Sequence, residues 1–221
     1  MGLLAASWLA YGVRSHRLAL QEQQAQAKIA ATSVRAQLDN ALRHMDDILA
    51  YTFAADARHG VALIDSDTLA QVRGRERRNP YRQVLITNAV GEPMLSIPRP
   101  PLDAPLQAMA RAQSANTSGT ILSHVVHTQG QALLARSMRL TQRDGRFAGM
   151  AVTLLDPALV REALNTSNEQ NAWAMQLLLG AQPVAKGWGS APAPVGAPVY
   201  TLATAAPDLS VQAWVQASAV R

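Results

Sequence analysis

The sequence predicts an α+β protein in which one long N-terminal helix precedes two antiparallel sheets. Three observations support this class. Residues 15–58 contain neither proline nor glycine and are rich in Gln, Ala, Leu and Arg, all good helix formers. Short stretches rich in alternating or β-branched residues follow, separated by tight turns that contain glycine. A helix followed by such strands occurs twice, over 61–157 and, in a smaller form, over 158–221.

Residues 1–14 are expected to be part of a transmembrane helix. "MGLLAASWLAYGV" is uncharged but has only 13 residues, and a membrane span needs about 20. No basic region precedes it, as a signal peptide would require. Trp8 and Tyr11 lie near its end, where interfacial aromatic residues tend to occur. The alternative is a buried N-terminal helix, and the basic residues that follow leave the topology undecided.

Residues 15–60 predict a stalk or dimer helix. Leu38, Leu42, Met45 and Leu49 recur at spacings of four, three and four, which is one apolar stripe of a helix. We expect this stripe to be buried against a sheet, and the earlier part of the helix to face a second copy of the chain. His59-Gly60 is the expected end of the helix.

The remaining elements follow from turn and strand signals. "RQVLITNAVGEPMLSI" predicts a hairpin, "LQAMARAQSA" a short helix, and "GTILSHVVHT", "ALLARSMRLT" and "FAGMAVTLLD" three antiparallel strands. Asp156-Pro157 then begins a helix, because Asp caps free N–H groups and Pro fits the first turn. Four further strands are expected in "AWAMQLLLG", "QPVAKGW", "PVYTLATA" and "LSVQAWVQA". Gly149 lies inside a strand, so we expect a helix or an aromatic ring packed closely over it.

Composition and motifs exclude several functions. The absence of cysteine excludes thiolate catalysis, disulfides and Cys-bound zinc. The net charge is +5, but the basic residues are dispersed and only two Phe and four Tyr are present, so nucleic-acid binding is not expected. No nucleophile elbow, phosphate loop or zinc-protease motif occurs. "HVVH" at 124–127 places its histidines on opposite faces of a strand. We therefore expect neither an enzyme nor a metal or other cofactor.

A binding role remains, since a sheet packed against a long helix leaves a cavity near its connecting loops. Arg136 and Arg139 lie on opposite faces of one strand, so one of them is expected to point inward, where it needs an anion or an acidic partner. Arg136, Arg139 and Arg146 are candidates for holding a carboxylate ligand, and His124 and Tyr81 complete the set of candidate ligand-binding residues. The alternative is that all three arginines face solvent.

Two of these stretches resemble the double Cache family of extracytoplasmic, PAS-like sensor domains. "RQVLITNAVGEPMLS" is similar to the family's first hairpin, and "LLARSMRLTQRDGRFAGMAVTLLDP" to its paired late strands. The second match is the more specific, and the resemblance covers 15–160 well and 161–221 loosely. The matching residues are Ser137, Arg139, Leu140, Asp144, Gly145, Arg146, Phe147, Ala148, Gly149, Leu155, Asp156 and Pro157.

The resemblance implies a small-molecule sensing domain of a membrane-bound signal transduction protein. It would place residues 15–221 in the periplasm, with a membrane-distal PAS-like subdomain at 61–157, a membrane-proximal one at 158–221, and dimerisation through the long helix. A cytoplasmic diguanylate cyclase, histidine kinase or chemoreceptor module would supply the output. The alternative is a membrane-anchored structural or assembly protein with a vestigial pocket. The sequence identifies neither the ligand nor the output module.

Overall fold

The computed structural model describes residues 2–57, 81–97, 106–128, 130–166, 173–187 and 196–215. One continuous helix, α1, runs from Gly2 to Ala57 and packs against strands of both sheets. Its expected end at His59-Gly60 lies outside the described residues. Within the part of the chain that the structure describes, no helix has a segment both long and apolar enough to cross a membrane.

The apolar stripe of α1 is buried, as its spacing predicts. Leu38, Leu42, Met45 and Leu49 are each at most 2% exposed and belong to one hydrophobic cluster with residues of both sheets. Burying side chains of this size contributes about 1.5–3 kcal/mol each. The stripe therefore fixes the second half of α1 to the rest of the protein.

The first sheet has five antiparallel strands in the order β2-β1-β5-β4-β3. Its predicted hairpin and its three later strands are confirmed, as is the short helix α2 that connects them. The elements are β1 (Tyr81–Asn88), β2 (Pro93–Ile97), α2 (Gln107–Ala115), β3 (Leu122–Thr128), β4 (Gln131–Thr141) and β5 (Phe147–Leu155).

Both faces of the first sheet are covered. On β4, Leu134 and Met138 belong to the cluster that contains the α1 stripe. Leu133 and Ala135, which alternate with them, belong to a second cluster with Leu106 and Met109 at α2. We call these the α1 face and the α2 face of the first sheet. The alternation along β4 therefore sends successive side chains into two separate cores.

Gly149 is required by the backbone of a neighbouring strand. It has φ +152°, and a Cβ atom there would overlap the carbonyl oxygen of Thr87 on β1. The expectation that a helix or an aromatic ring packs over Gly149 is therefore wrong. The close approach lies within the plane of the sheet, at a point where the β4–β5 register shifts.

The second sheet follows helix α3 (Pro157–Thr166), whose start at Asp156-Pro157 is confirmed. The Asp156 carboxylate accepts a hydrogen bond from the N–H of Ala158 at 2.8 Å, which caps the helix. The four strands have the order β7-β6-β9-β8. They are β6 (Trp173–Leu179), β7 (Gln182–Lys186), β8 (Tyr200–Ala203) and β9 (Leu209–Val215), all antiparallel. These observations confirm the α+β class with two antiparallel sheets.

Candidate functional site

A cavity of about 570 Å³ lies along β3, the edge strand of the first sheet. Helix α2 forms one wall and the turn between β6 and β7 contributes another, so both sheets contribute to the cavity. The lining residues are Gln107, Ala108, Met109 and Arg111 from α2, Ser123, His124, Val125, Val126 and His127 from β3, and Leu179 and Gln182 from the second sheet.

The lining contains three basic side chains and no carboxylate among the described residues. Arg111 is exposed, and its guanidinium makes no hydrogen bond or ion pair within the described chain. His127 is likewise exposed, and its ring makes no such contact there. Met109 and Val126 are buried and apolar. The cavity thus combines unpaired hydrogen-bond donors with an apolar surface, which is the composition of small-molecule sites.

A buried hydrogen-bond network fixes His124 in the wall. Gln113 on α2 is fully buried, and its Nε2 donates to the backbone oxygen of Ser137 at 2.7 Å and to its Oγ at 2.9 Å. The Ser137 Oγ also lies 3.0 Å from Nε2 of His124. Ser137 is itself fully buried, so this Ser–His pair lacks an accessible nucleophile. The network joins α2 to the sheet and orients the imidazole.

Two effects lower the pKa of His124 below its usual value of 6.5. Burial is the larger cause, and the positive charge of Arg136 is the smaller. Both disfavour the imidazolium, so the ring is neutral at pH 7. A neutral imidazole can donate or accept a hydrogen bond, whereas an anion nearby would favour its protonation. The protonation of His124 therefore depends on the charge of a molecule bound in the cavity.

Arg136 points inward, as one of the two strand arginines was expected to do. It is 4% exposed on the α1 face, and its guanidinium donates to both carboxylate oxygens of Asp46 on α1, from Nε at 2.8 Å and from Nη2 at 2.5 Å. Its Nη1 donates to Oγ of Ser123 at 2.5 Å. The acidic partner that a buried arginine needs thus comes from the chain itself, outside the cavity.

Arg139 lies on the opposite face and holds the end of α2. Its Nη1 donates to the backbone oxygens of Gln113 at 3.0 Å and Ser114 at 2.6 Å. A cation at these last carbonyls also interacts favourably with the helix dipole. The guanidinium lies 5.1 Å from the centre of the Phe147 ring. Arg139 therefore orders a wall element and does not line the cavity.

The remaining candidates lie elsewhere. The Arg146 side chain is 82% exposed and pairs with Asp144 at 2.6 Å in the β4–β5 turn. The N–H of Arg146, and then its guanidinium, lower the pKa of the Asp144 carboxyl. Tyr81 is buried in the cluster of the α1 face. Of the five predicted ligand-binding residues, the structure brings only His124 to the cavity.

Sequence reasoning missed Gln107 and Arg111, the polar residues that α2 contributes. Their spacing of four places them on the same face of a helix, and this was the available signal. It could not be used because this spacing alone gives no indication of what lies opposite that face of the helix. His124 and His127 were expected on opposite strand faces, which argues against a shared metal. Among the described residues, no cluster of three or more His, Asp or Glu side chains could hold a metal ion.

A second cavity, of about 270 Å³, lies where β4, α3 and β7 meet. Its floor is apolar, with Leu134, Leu155 and Val160 among the lining residues, and Arg161 and Lys186 lie at its exposed rim. It has less than half the volume of the β3 cavity. The β3 cavity is therefore the better candidate for a ligand site.

No sequence-family model matches the chain, and no curated protein matches it in sequence. Solved structures do match in fold. The extracellular domain of a protein described as a histidine kinase, rpHK1S-Z16, has a TM-score of 0.61 at 16% identity, with 91% of this chain and 97% of that chain covered. The ligand-binding domain of the Pseudomonas fluorescens chemoreceptor CtaA, in complex with L-isoleucine, has a TM-score of 0.58 at 8% identity, covering 93% of this chain and 97% of that one.

A third match shows the same fold within a longer protein. An extracellular ligand-binding receptor from Desulfohalobium retbaense has a TM-score of 0.52 at 12% identity, and the match covers 73% of this chain. The chain spans 31% of that receptor's length. These likenesses confirm that the chain has the fold of extracytoplasmic ligand-binding domains, as its resemblance to the double Cache family implies.

Proposed function

We propose that this chain is the extracytoplasmic sensing domain of a membrane-bound signal transduction protein and that its ligand binds in the β3 cavity. One observation carries the proposal: the cavity in the first sheet is lined by unpartnered basic side chains on a fold that ligand-binding domains share. Arg111 is exposed and makes no hydrogen bond or ion pair within the described chain, and a charge-assisted hydrogen bond to an anion is about twice as strong as a neutral one. An occupant that accepts hydrogen bonds from Arg111 is therefore favoured.

The ligand that fits this lining is a small carboxylate with an apolar portion. Arg111 supplies a planar pair of donors suited to a carboxylate, and the imidazole of His124 supplies a further nitrogen atom. Met109 and Val126 would contact the hydrocarbon part. No carboxylate side chain of the described lining is available to pair with an α-ammonium group. A simple organic acid is therefore favoured over a free α-amino acid.

Calorimetric titration with mono- and dicarboxylates, with L-amino acids as comparison ligands, tests the ligand class. We expect a carboxylate to bind and Arg111→Gln to weaken it by about 10-fold or more, since a hydrogen bond to a charged group is worth about 1.5–3 kcal/mol. Arg143→Gln is the matched control, because it removes the same charge in the β4–β5 turn, outside the cavity lining. Equal loss in both variants, or no binding by any member of the panel, would contradict the proposal.

Dimerisation through the first half of α1 belongs to the same proposal. Leu18 and Ile29 are 58% and 70% exposed on that part of the helix, and about three turns apart they lie on the same helical face. A second copy of α1 would cover them, and the N-terminal end of the helix would continue into the inner membrane, with residues 15–221 in the periplasm. Sedimentation of the chain should show a dimer that Ile29→Asp weakens. A monomer at every concentration would exclude this arrangement.

The alternative, a structural or assembly protein with a vestigial pocket, is less well supported. In a vestigial cavity, nothing would prevent substitutions that fill the space or pair its polar side chains. Arg111 and His127, in contrast, make no hydrogen bond or ion pair within the described chain. We assign no catalytic activity to this chain, because Ser137 of its Ser–His pair is fully buried. A cyclase or kinase output would reside in another domain of the same signalling protein.

A further inference from the structure

Two polar networks lie back to back across β3 and β4. On the α2 face, His124 and Ser137 belong to the wall of the cavity. On the α1 face, Ser123 and Arg136 are directly opposite each other and hydrogen-bonded. Ser123 precedes His124 on β3, and Arg136 precedes Ser137 on β4. A shift of either strand at this point therefore changes both networks at once.

The network on the α1 face contains the Arg136–Asp46 ion pair. Among the described residues, this is the only ion pair that joins α1 to the first sheet. Both oxygens of Asp46 accept from the Arg136 guanidinium, and the arginine side chain is 5% exposed. Such a charge pair is strong only while its geometry is kept, because the buried arginine has lost its hydration. The pair is thus a sensitive point in the packing of α1.

We propose that the Arg136–Asp46 bridge couples an anion in the β3 cavity to the packing of α1 on the first sheet. The inference rests on the proposed function, since it takes the cavity as the ligand site. An anion beside Ser123 and His124 competes with Asp46 for the positive charge of Arg136 and draws its guanidinium toward β3, so that the bonds to Asp46 weaken and α1 loosens around Asp46. By reciprocity, a change in α1 packing alters the affinity of the cavity for its ligand.

The test places the charge in the cavity by chemistry and so needs no known ligand. The chain has no cysteine, so Ala108→Cys, in the α2 wall, introduces a single thiol. Alkylation with iodoacetate attaches a carboxylate there, and iodoacetamide attaches a neutral group of nearly the same shape. Amide hydrogen exchange is then measured over α1 residues 38–49. We expect exchange at least about fivefold faster in the charged adduct, the lower end of typical coupling between linked sites.

Three further variants in the Ala108→Cys background separate the bridge from a general loosening. Asp46→Asn keeps the shape of the side chain and should abolish the difference between adducts, and Ser123→Ala should reduce it by removing the hydroxyl that links Arg136 to the cavity lining. Asp47→Asn, on the exposed side of α1, should leave it unchanged. Ser123→Ala keeps the test decisive if Asp46→Asn does not fold. The inference is wrong if the two adducts exchange alike, or if the difference survives both Asp46→Asn and Ser123→Ala.

The outcome is independent of the ligand titration. A failure to find any carboxylate that binds through Arg111 would overturn the proposed ligand class while the covalent charge still tests the bridge. Conversely, ligand binding through Arg111 with identical exchange in the two adducts would leave the sensing role intact and overturn this coupling.

Discussion

The two sheets share a plan but differ in what covers their second face. The order β7-β6-β9-β8 corresponds to β2-β1-β5-β4, and the residues that the structure describes include no counterpart of the β3 edge strand in the second sheet. The inner face of each sheet packs on α1. The first sheet carries α2 on its other face, whereas the described part of the second sheet presents a polar row there. In register order that row is Lys186, Gln176, Gln212 and Thr201.

This difference places the ligand cavity. The outer face of the second sheet presents this polar row, whereas α2 supplies both a wall and the Arg111 guanidinium on the first sheet. The β3 strand, which has no counterpart in the described part of the second sheet, supplies the opposite wall. The ligand site therefore follows the added helix and edge strand, and the β6–β7 turn of the second sheet completes the lining.

The largest effect on stability is expected at Gly149 of the first sheet, compared with Gly180 of the second. Gly149→Ala should destabilise the protein by at least about 4 kcal/mol, because the new Cβ would overlap the backbone of β1 at a positive φ. Gly180→Ala, in the β6–β7 turn, also has a positive φ but meets no atom within 4 Å, and should cost about 1–2 kcal/mol. Urea unfolding measures both. Equal losses of stability in the two variants would show that Gly149 is no more constrained by its neighbours than Gly180.

The second prediction compares the second faces of the two sheets. Leu85 on the α2 face is fully buried, so Leu85→Ala should cost about 3 kcal/mol. Leu178 lies on the outer face of the second sheet and is only partly buried, so Leu178→Ala should cost less than about 1.5 kcal/mol. If Leu178→Ala costs as much as Leu85→Ala in the same unfolding experiment, the second sheet has a covered outer face.

The third prediction compares the polar links from α1 to each sheet. Asp46→Ala leaves the buried Arg136 without its partner and should cost about 2 kcal/mol, below the range for fully buried pairs because the Asp46 side chain is 31% exposed. Asp39→Ala removes the hydrogen bond from the N–H of Ala205 at 2.7 Å and a long, partly exposed ion pair with Arg35 within α1, and should cost about 1 kcal/mol. Thermal and urea unfolding of the two variants, with Asp47→Ala as the exposed control, decide the order.

The smallest effect is a pH dependence that only the first sheet should contribute. Because the pKa of His124 is lowered in the folded protein, the unfolded state binds more protons as the pH falls below 6.5. Stability should therefore fall toward acid pH, by at most about 1.4 kcal/mol per pH unit for one proton. His124→Gln should remove this component, whereas His44→Gln, on an exposed part of α1, should retain it. An unchanged slope in His124→Gln would contradict the assignment.

Local patterns predicted most of the architecture because each rests on a short-range cause. The Leu38–Leu49 stripe, the glycine turns and the Asp156 cap each depend on residues a few positions apart, and all three are confirmed. The alternation on β4 also predicted that Arg136 and Arg139 lie on opposite faces. What alternation could not give was the partner of either arginine, since Asp46 lies 90 residues away from Arg136.

The sequence by itself therefore determined the elements, their order and the double Cache likeness, because periodicity, capping and turn chemistry are local. Only the tertiary structure decided the site. It paired Arg136 with Asp46 and brought Arg111 of α2 and His124 of β3 to the lining of one cavity. It also showed that Gly149 accommodates a neighbouring strand instead of a helix or aromatic ring. These contacts depend on how distant segments pack, and that packing is a property of the whole chain and not of any stretch within it.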